Sequence, residues 1–514
     1  IVPIQILVYC EVKGRELSRS DMSTRTPTDK VDVVIMGAGP AGMACAMELY
    51  EANRKTIILE KEEKVGGLSK TLEFKEGDDI FRTDIGPHRF FSKNQYLYSF
   101  IEGLLKERWI VVSRKTRQFI DGKFYDYPIK ALQAFRNIGF TRAFGMGISY
   151  IAAVLQYKVF KKKIVSFEDY VVANFGRKLG EFNMINYTEK IWGIPASTIH
   201  ADWATQRIQG LNLLSALANA IFKKKADSPK SLVDSFYYPQ YGTGLIYETI
   251  AKKIAQQGHV IHTESCPTAI HHDHKRVVEV EYTKQGVAER FSPEHLVSSI
   301  PLTQFVSLLS PQPPQNVLDA VSKLQWRSQV YLFITLDKQH VTDDNWIYFP
   351  NADIPFGRIS EMKNFSADMA PRDKTSLMIE FFVTEGDAVW NATKEELFEL
   401  VMPIFERLGF FKRSEVRHCY SFKKTHVYPV YNVHYMEHLS VIKEYLDQFE
   451  NLYYIGRPGR FRYNNQDHSL EMGIMAAKSI LDGVRYDFDT IGTEKEYFEK
   501  GQISEKPAQQ QSKT

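Results

Sequence analysis

A chain of 514 residues, 44% of them hydrophobic, can bury a large core and divide into two or three domains. Its 65 basic and 62 acidic side chains leave a near-neutral formal net charge of +3, so no electrostatic footprint for nucleic acid is visible. Four scattered cysteines (Cys10, Cys45, Cys266, Cys419) form no C-x-x-C, so neither a disulfide framework nor a zinc site follows, and a reducing, cytoplasmic compartment is expected. Ile1–Tyr9 is apolar but too short to span a bilayer, and no small-residue cleavage site follows it, so no signal peptide is read there. Residues 1–30 are expected to be a lead-in outside the fold, with Met22 the natural start.

Val31–Met36 is an apolar run of strand character. It feeds Gly37, Gly39 and Gly42, a G-x-G-x-x-G turn, and then a helical pattern through Met43, Ala46, Met47 and Tyr50. A second apolar run, Thr56–Leu59, ends in Glu60. This is the order of a dinucleotide-binding unit: Gly37 for the tight turn, Gly39 for approach of a pyrophosphate, Gly42 for helix–strand packing, and Glu60 for ribose hydroxyls. The turn alone suits NAD and FAD equally. The continuation Lys61 to Ser69, with Gly66-Gly67-Leu68-Ser69, resembles the FAD enzymes of the amine oxidase and sugar mutase group. That resemblance implies FAD, held by Gly37, Gly39, Gly42, Glu60, Lys61, Gly67, Leu68 and Ser69.

Further along, Thr71–Phe81 predicts a hairpin and Asn94–Leu105 a helix. Ile110–Ser113, Arg117–Ile120 and Phe124–Tyr127 predict three short strands, the last two joined at Asp121-Gly122. From Ile129 to Lys225 helical runs dominate (Ala131–Phe135, Ala143–Val159, Phe167–Phe175, Leu211–Ala220). The uncharged stretch Ala143–Tyr157 is too short to cross a membrane and is expected as a buried helix. Lys161–Lys163 and Lys223–Lys225 are read as solvated helix ends. Leu245–Gln256 is helical, and His271–His274 is expected to be a polar hairpin turn between strands, not a metal site. Leu296–Pro301 resembles the strand that rejoins the FAD domain in this flavoprotein group. Strands then recur at Val330–Leu336, Trp346–Phe349, Leu377–Val383 and Val416–Phe422, interrupted by the helix Lys394–Leu408. A last strand and glycine turn, Leu452–Arg457, precedes Asn464–Ser469 and the helix Leu470–Leu481.

The pattern predicts an α/β fold: a split Rossmann-like FAD-binding domain (residues 31–105, 240–300 and 450–486), a helical insertion acting as substrate domain (129–230), and a mostly antiparallel β-sheet domain (106–128 and 301–449). Residues 487–514 are expected to form a partly disordered tail.

Five blocks carry a closer resemblance: Lys190–Pro195; Trp203–Arg207; Tyr348–Pro350 with Pro355–Arg358; His426–Pro429; and Gly456-Arg457 through Tyr463 with Asn465–Ser469. In this order, across Val31 to Gly483, they resemble the flavin-dependent UDP-galactopyranose mutases, the eukaryotic type more than the compact bacterial one. The resemblance implies interconversion of pyranose and furanose forms of a nucleotide sugar, UDP-linked, with reduced flavin N5 as nucleophile at the anomeric carbon. NADPH or NADH is the expected reductant, and no protein nucleophile or metal is needed. A leaving diphosphate in a partly dry cleft calls for rigid bidentate cations. Arg207 and Arg358 match that role, and Tyr348, Tyr428 and Tyr463 match hydroxyl donors to the same group. Trp192 matches an indole bordering the sugar, and Tyr127 an aromatic that stacks on uracil. Arg114, Gly456, Arg457, Asn465, Gln466 and Ser469 match flavin contacts, and His88 a histidine whose loop moves with the redox state of the flavin.

Three departures stand against the family pattern. Pro87 precedes His88 where the mutases carry glycine; it fixes φ and removes an N–H, opposing a peptide flip there. Lys130 replaces a glutamine that reads the base edge, and lysine donates but cannot accept. Thr188 and Val233 replace asparagines on the nucleoside and sugar side. A different nucleotide sugar is therefore open. Two other classes remain: an oxidase or desaturase of the amine oxidase or protoporphyrinogen oxidase type, and a non-catalytic nucleotide-sugar binder. An oxidase of apolar or amine substrates has little use for two arginines among tyrosines. Oligomeric state is not legible.

Overall fold

The computed structural model describes residues 29–92, 94–127, 131–204, 235–256 and 259–492. Its organising element is a parallel sheet. Strand Asp29–Met36 pairs in parallel with Thr56–Leu59 on one side and with Val287–Ser298 on the other. Val260–His262 extends the first edge and Leu452–Tyr454 the second. The strands are near-continuous apolar runs because both faces of a parallel sheet are covered; Val33 to Met36 are wholly buried. Helices Pro40–Glu51, Gly244–Ala255 and Gln466–Asp482 cover one face. The first and last of these pack so closely that a Cβ on Gly473 would lie 2.1 Å from the Ala41 carbonyl oxygen.

The expected hairpin around His271–His274 is present as strands Ser265–Asp273 and Arg276–Lys284. Across it His271 lies 3.0 Å from Glu281, and Arg290 reaches both Glu279 and Glu281. An arginine already answers these carboxylates, so the group reads as an ion-pair ladder and not as a cation site.

The second sheet has seven strands in the order Val416–Pro429, Trp326–Leu336, Thr375–Val383, Arg358–Ser360, Trp346–Tyr348, Thr116–Ile120, Lys123–Asp126. All neighbours are antiparallel except Trp346–Tyr348 with Thr116–Ile120. One face carries Leu332, Ile334, Leu377 and Ile379 against helix Lys394–Leu408. That helix has the predicted bounds: Thr393 and Glu396 form a capping box, and Gly409 at φ +70° ends it. The other face carries Tyr331, Phe333 and Met378 against the hairpin of strands Thr71–Glu76 and Asp79–Asp84. Trp109–Ser113, expected with this sheet, pairs instead with Ser235–Pro239. The pull is aromatic: Trp109 stacks on Tyr237 with centroids 5.3 Å apart, beside Phe90 and Tyr98.

Between the sheets' chain segments lie helices Ala131–Ile138, Phe140–Val154, Phe167–Phe175 and Asn186–Trp192. Here the structure corrects the sequence. The stretch Ala143–Tyr157 is helical but not buried: only Met146 and Ala153 on Phe140–Val154 are fully covered, while Phe144, Ile148 and Ile151 face outward. The run is apolar on both faces, and only one meets the body. The runs Leu211–Ala220 and Lys223–Lys225 lie outside the described residues, as do Lys130, Val233 and Arg207. No described helix is long and apolar enough to cross a membrane. Cys45 and Cys419 are free thiols.

Candidate active site

The glycine turn sits at the carboxyl end of strand Asp29–Met36. Gly37 adopts φ +96°, and a Cβ on Gly42 would stand 2.0 Å from the Gly37 oxygen, so that position must be glycine for the helix to meet the strand. Gly39 caps helix Pro40–Glu51 with no side chain over its N–H groups. Gly67, at φ +55°, faces it; a Cβ there would lie 3.1 Å from the Gly39 Cα. The result is a bare helix N-terminus flanked by backbone alone, which suits a pyrophosphate. Glu60 is buried at the end of its strand. Its two oxygens accept the N–H groups of Ala38 (2.8 Å) and Glu62 (2.9 Å), fixing the acid beside the turn with further lone pairs for ribose hydroxyls. Lys61 is exposed next to it.

The C-terminal segment closes the cradle. Gly456 at φ +77° brings its backbone against Ala41. Tyr247 donates to Gln466 Oε1 (3.0 Å) and is hydrogen-bonded to Ser69, tying the paired-glycine turn to the last helix. Asn465 precedes that helix, and Gln466 Nε2 is buried without a partner, an amide donor suited to a cofactor carbonyl. Ser469 spends its hydroxyl on Asn464 Oδ1 at 3.0 Å. Arg114 is half-buried on the turn between strands Trp109–Ser113 and Thr116–Ile120. An orphaned amide, a cradle that a Cβ would fill and a buried acid together fit FAD.

Against this cradle stands a chamber of rings and two arginines. Tyr428 and Tyr463 stack in parallel with centroids 5.6 Å apart, and Arg457 lies 4.4 Å over the Tyr463 ring and 5.3 Å over that of Tyr428. Arg457 donates to the Asn464 carbonyl through Nε and Nη2, and no carboxylate pairs with it among the described residues. Tyr127 and Tyr187 both meet Tyr348 edge-on, at 5.6 and 5.3 Å. Burial pushes the Tyr428 hydroxyl up to about 12, against the pull of Arg358, so it stays a donor. Trp192 is buried among Trp203, Tyr431 and Tyr428, with its Nε1 buried and unpartnered.

Arg358 is held differently from the expected open clamp. It lies opposite Glu380 in the sheet register, and its Nε and Nη2 both donate to the Glu380 carboxylate at 2.6 Å. Glu380 is wholly buried and also accepts from Gln329, which is bonded in turn by Tyr331. Burial opposes the Arg358 charge, but Glu380 outweighs it and keeps the guanidinium protonated. The Gly86 backbone, at φ +91°, presses on this pair; a Cβ there would be 3.4 Å from Arg358 Nη2.

His88 lies two residues after that glycine, beyond Pro87. Its Nε2 lies 3.0 Å from the carbonyl oxygens of both Leu68 and Ile85, so Nε2 must carry the proton and Nδ1 is the acceptor. Burial, and then the Arg457 charge, depress it to about 4, so the ring is neutral at pH 7.

Three contributors escaped the sequence reading. Glu380 has a signal in hindsight, the lone charge in the strand Thr375–Val383 and the one break in its apolar run from Leu377 to Val383. Lys190 sits in a quoted block, yet its contacts do not: Nζ donates toward the carbonyls of Phe349, Asn351, Ile354 and Phe356, gathering the loop between Tyr348 and Arg358. Burial drives Lys190 down to about 7, but four acceptors around one nitrogen are served by the ammonium form. Asp84, buried, receives Thr71, Tyr238 and Thr243, joining the hairpin to helix Gly244–Ala255. Neither tyrosine nor threonine spacing announces it.

A dinucleotide cradle assembled from distant chain segments and opening on a ring-lined chamber is the layout of an FAD-dependent enzyme. Residues 40–457 match the profile of the flavin-containing amine oxidoreductases, and the chain belongs to that family. The fold is similar to that of reduced UDP-galactopyranose mutase, with a TM-score of 0.75 and 21% identity over 91% of this chain and 96% of that one. It is also similar to putrescine oxidase bound to putrescine, with a TM-score of 0.57 and 13% identity over 89% and 100%. By sequence, the chain is 32% identical to all-trans-retinol 13,14-reductase of Danio rerio over 87 residues, 17% of this chain and 14% of the reductase. At these identities the two structures speak for the fold.

Proposed function

We propose that the protein is a nucleotide-sugar mutase that interconverts pyranose and furanose forms, with a UDP-linked sugar as substrate. The observation that supports this is the convergence of Arg358 and Arg457 with the hydroxyls of Tyr348, Tyr187, Tyr428 and Tyr463 beside the flavin cradle. FAD, once reduced by NADPH or NADH, supplies the nucleophile for the anomeric carbon. The side chains have the other task, to bind and stabilise the departing diphosphate. A guanidinium has five N–H donors; Glu380 takes one from Nε and one from Nη2, leaving two along the Nη1/Nη2 edge as a fork for phosphate oxygens and one on the far side of Nη1. Glu380 therefore orients Arg358 as a donor fork, while Arg457 carries the uncompensated charge. The Tyr187 and Tyr428 hydroxyls, held protonated by burial, donate to the same oxygens, each such bond to a charged group contributing about 1.5–3 kcal/mol. Arg207 is assigned the second clamp on the resemblance alone. Neutral His88 offers an acceptor at Nδ1 from a loop that touches both the Arg358–Glu380 pair and the Leu68 carbonyl.

One observation favours the competing oxidase or desaturase reading. With Glu380 cancelling Arg358, the chamber holds less net positive charge than a two-arginine clamp implies. Arg457, uncompensated against the stacked tyrosines, speaks against a cationic amine substrate. The discriminating experiment incubates the chemically reduced protein with UDP-galactofuranose and other furanosyl nucleotides and looks for the pyranose. Turnover under reducing conditions supports the mutase. Absence of turnover, with oxygen-coupled oxidation of another substrate, overturns it.

A further inference from the structure

The helix Phe140–Val154 and the turn that carries it on to Val159 display apolar side chains to solvent. Phe140, Phe144, Ile148, Ile151, Leu155 and Val159 are between 48% and 72% exposed. At 100° per residue they fall within an arc of about 100°, a single stripe, whereas the buried Met146 and Ala153 lie on the opposite side. The rings of Phe140 and Phe144 stack on each other along it. Beyond its end, Phe160 and Ile164 are exposed as well. A contiguous apolar surface of this extent on a folded chain marks a contact.

The charge around the stripe says with what. From Ala131 to Ser166 there is no Asp or Glu, but six cations: Arg136, Arg142, Lys158, Lys161, Lys162 and Lys163. Arg142 and Lys162 are paired, with Asp121 and Asp169. Among the described residues no carboxylate pairs with Arg136, Lys158, Lys161 or Lys163. A second copy of the chain would bring the same surplus of cations, its neighbouring Asp121 and Asp169 already paired. We propose that this face is a docking surface for an anionic lipid bilayer, the stripe lying in the plane of the interface with its lysines on the headgroups. Aromatic and branched aliphatic side chains on one face, with lysines at the margin, are what an interfacial helix uses. The helix lies on the membrane and does not cross it, in keeping with its length.

The test is sedimentation of the full-length FAD-loaded protein with vesicles of phosphatidylcholine containing phosphatidylglycerol, against phosphatidylcholine alone. Binding to the anionic vesicles, released by high salt, is expected. The double substitution Ile148→Asp/Ile151→Asp, on exposed positions, should lower the bound fraction at least tenfold with flavin absorbance and unfolding temperature unchanged. Lys161→Glu/Lys163→Glu should do the same. Should the aspartate variant fold poorly, Ile151→Trp serves instead: its emission should shift to the blue with anionic vesicles only. The proposal is overturned if the wild-type protein ignores anionic vesicles, if the emission of the Ile151→Trp variant does not respond, or if the stripe proves to hold two copies together in light scattering without any vesicle binding. Protection of the stripe by residues 205–234 in hydrogen exchange, with no vesicle binding, would equally overturn it.

Discussion

Replacing Arg358 by methionine leaves Glu380 wholly buried, with Gln329 as its remaining side-chain donor. The two 2.6 Å contacts place opposite charges about 4 Å apart between centres, where attraction at an effective dielectric of about 20 amounts to roughly 4 kcal/mol. Breaking a buried pair from one side costs about 3–5 kcal/mol, because the surviving charge is stranded. Arg358→Met and Glu380→Leu should each lower the unfolding free energy by about that amount. The double variant Arg358→Met/Glu380→Leu should return to within about 1–2 kcal/mol of wild type, since neither charge is then buried alone. Catalysis should not return with it. Loss of a donor fork on a developing anion lowers kcat/KM by about 10²–10³-fold, in the double variant as in Arg358→Met. Denaturant unfolding of the FAD-loaded proteins and steady-state kinetics of the reduced enzymes separate the two effects. Additive destabilisation would refute the pairing, and near-normal turnover in the stable double variant would refute the diphosphate role.

His88 sets a pH signature. Unfolded, its ring takes up a proton below about pH 6.5; folded, only below about 4, so unfolding binds a proton in between and stability falls as pH drops through that window. The wild type should lose up to about 3 kcal/mol more than His88→Gln over this range, in equilibrium unfolding at graded pH. His426 and His468 are depressed by burial as well, so the difference between variants is the quantity to compare. Lys190→Met strips the donor from four carbonyls of the loop between Tyr348 and Arg358; KM for the nucleotide sugar should rise at least tenfold while the flavin spectrum stays normal. Gly67→Ala forces a Cβ to 3.1 Å from the Gly39 backbone, and the protein should purify folded by circular dichroism but with most of its flavin absorbance lost.

The cofactor half was legible because its signals are local. Gly37, Gly39, Gly42 and Glu60 lie on one strand–turn–helix–strand unit; Gly42 answers a contact within it, Gly39 faces Gly67, and Gly37 is required by its own φ of +96° as well as by the approach of Ser299. The chamber was legible only as matched blocks. Nothing near Arg358 in sequence tells of Glu380, because the pair forms across neighbouring strands whose register depends on the whole sheet. Lys190 fails for the same reason, its acceptors lying far downstream on another element. The stretch Ala143–Tyr157 misled for a different one. Hydrophobicity measures the wish to leave water, not whether protein is there to receive it.

The parallel sheet also fixes an order of events. Val31 finds its neighbour at Pro293, and that strand in turn receives Leu452–Tyr454. At about 5–20 residues per second of synthesis, the edge of the first strand waits roughly ten to fifty seconds for its partner. The Tyr247–Gln466 link and the Gly456 turn come later still. The flavin can thus be clasped only by a chain translated past helix Gln466–Asp482. Until then a bare strand edge and an uncapped glycine turn stand open on the ribosome.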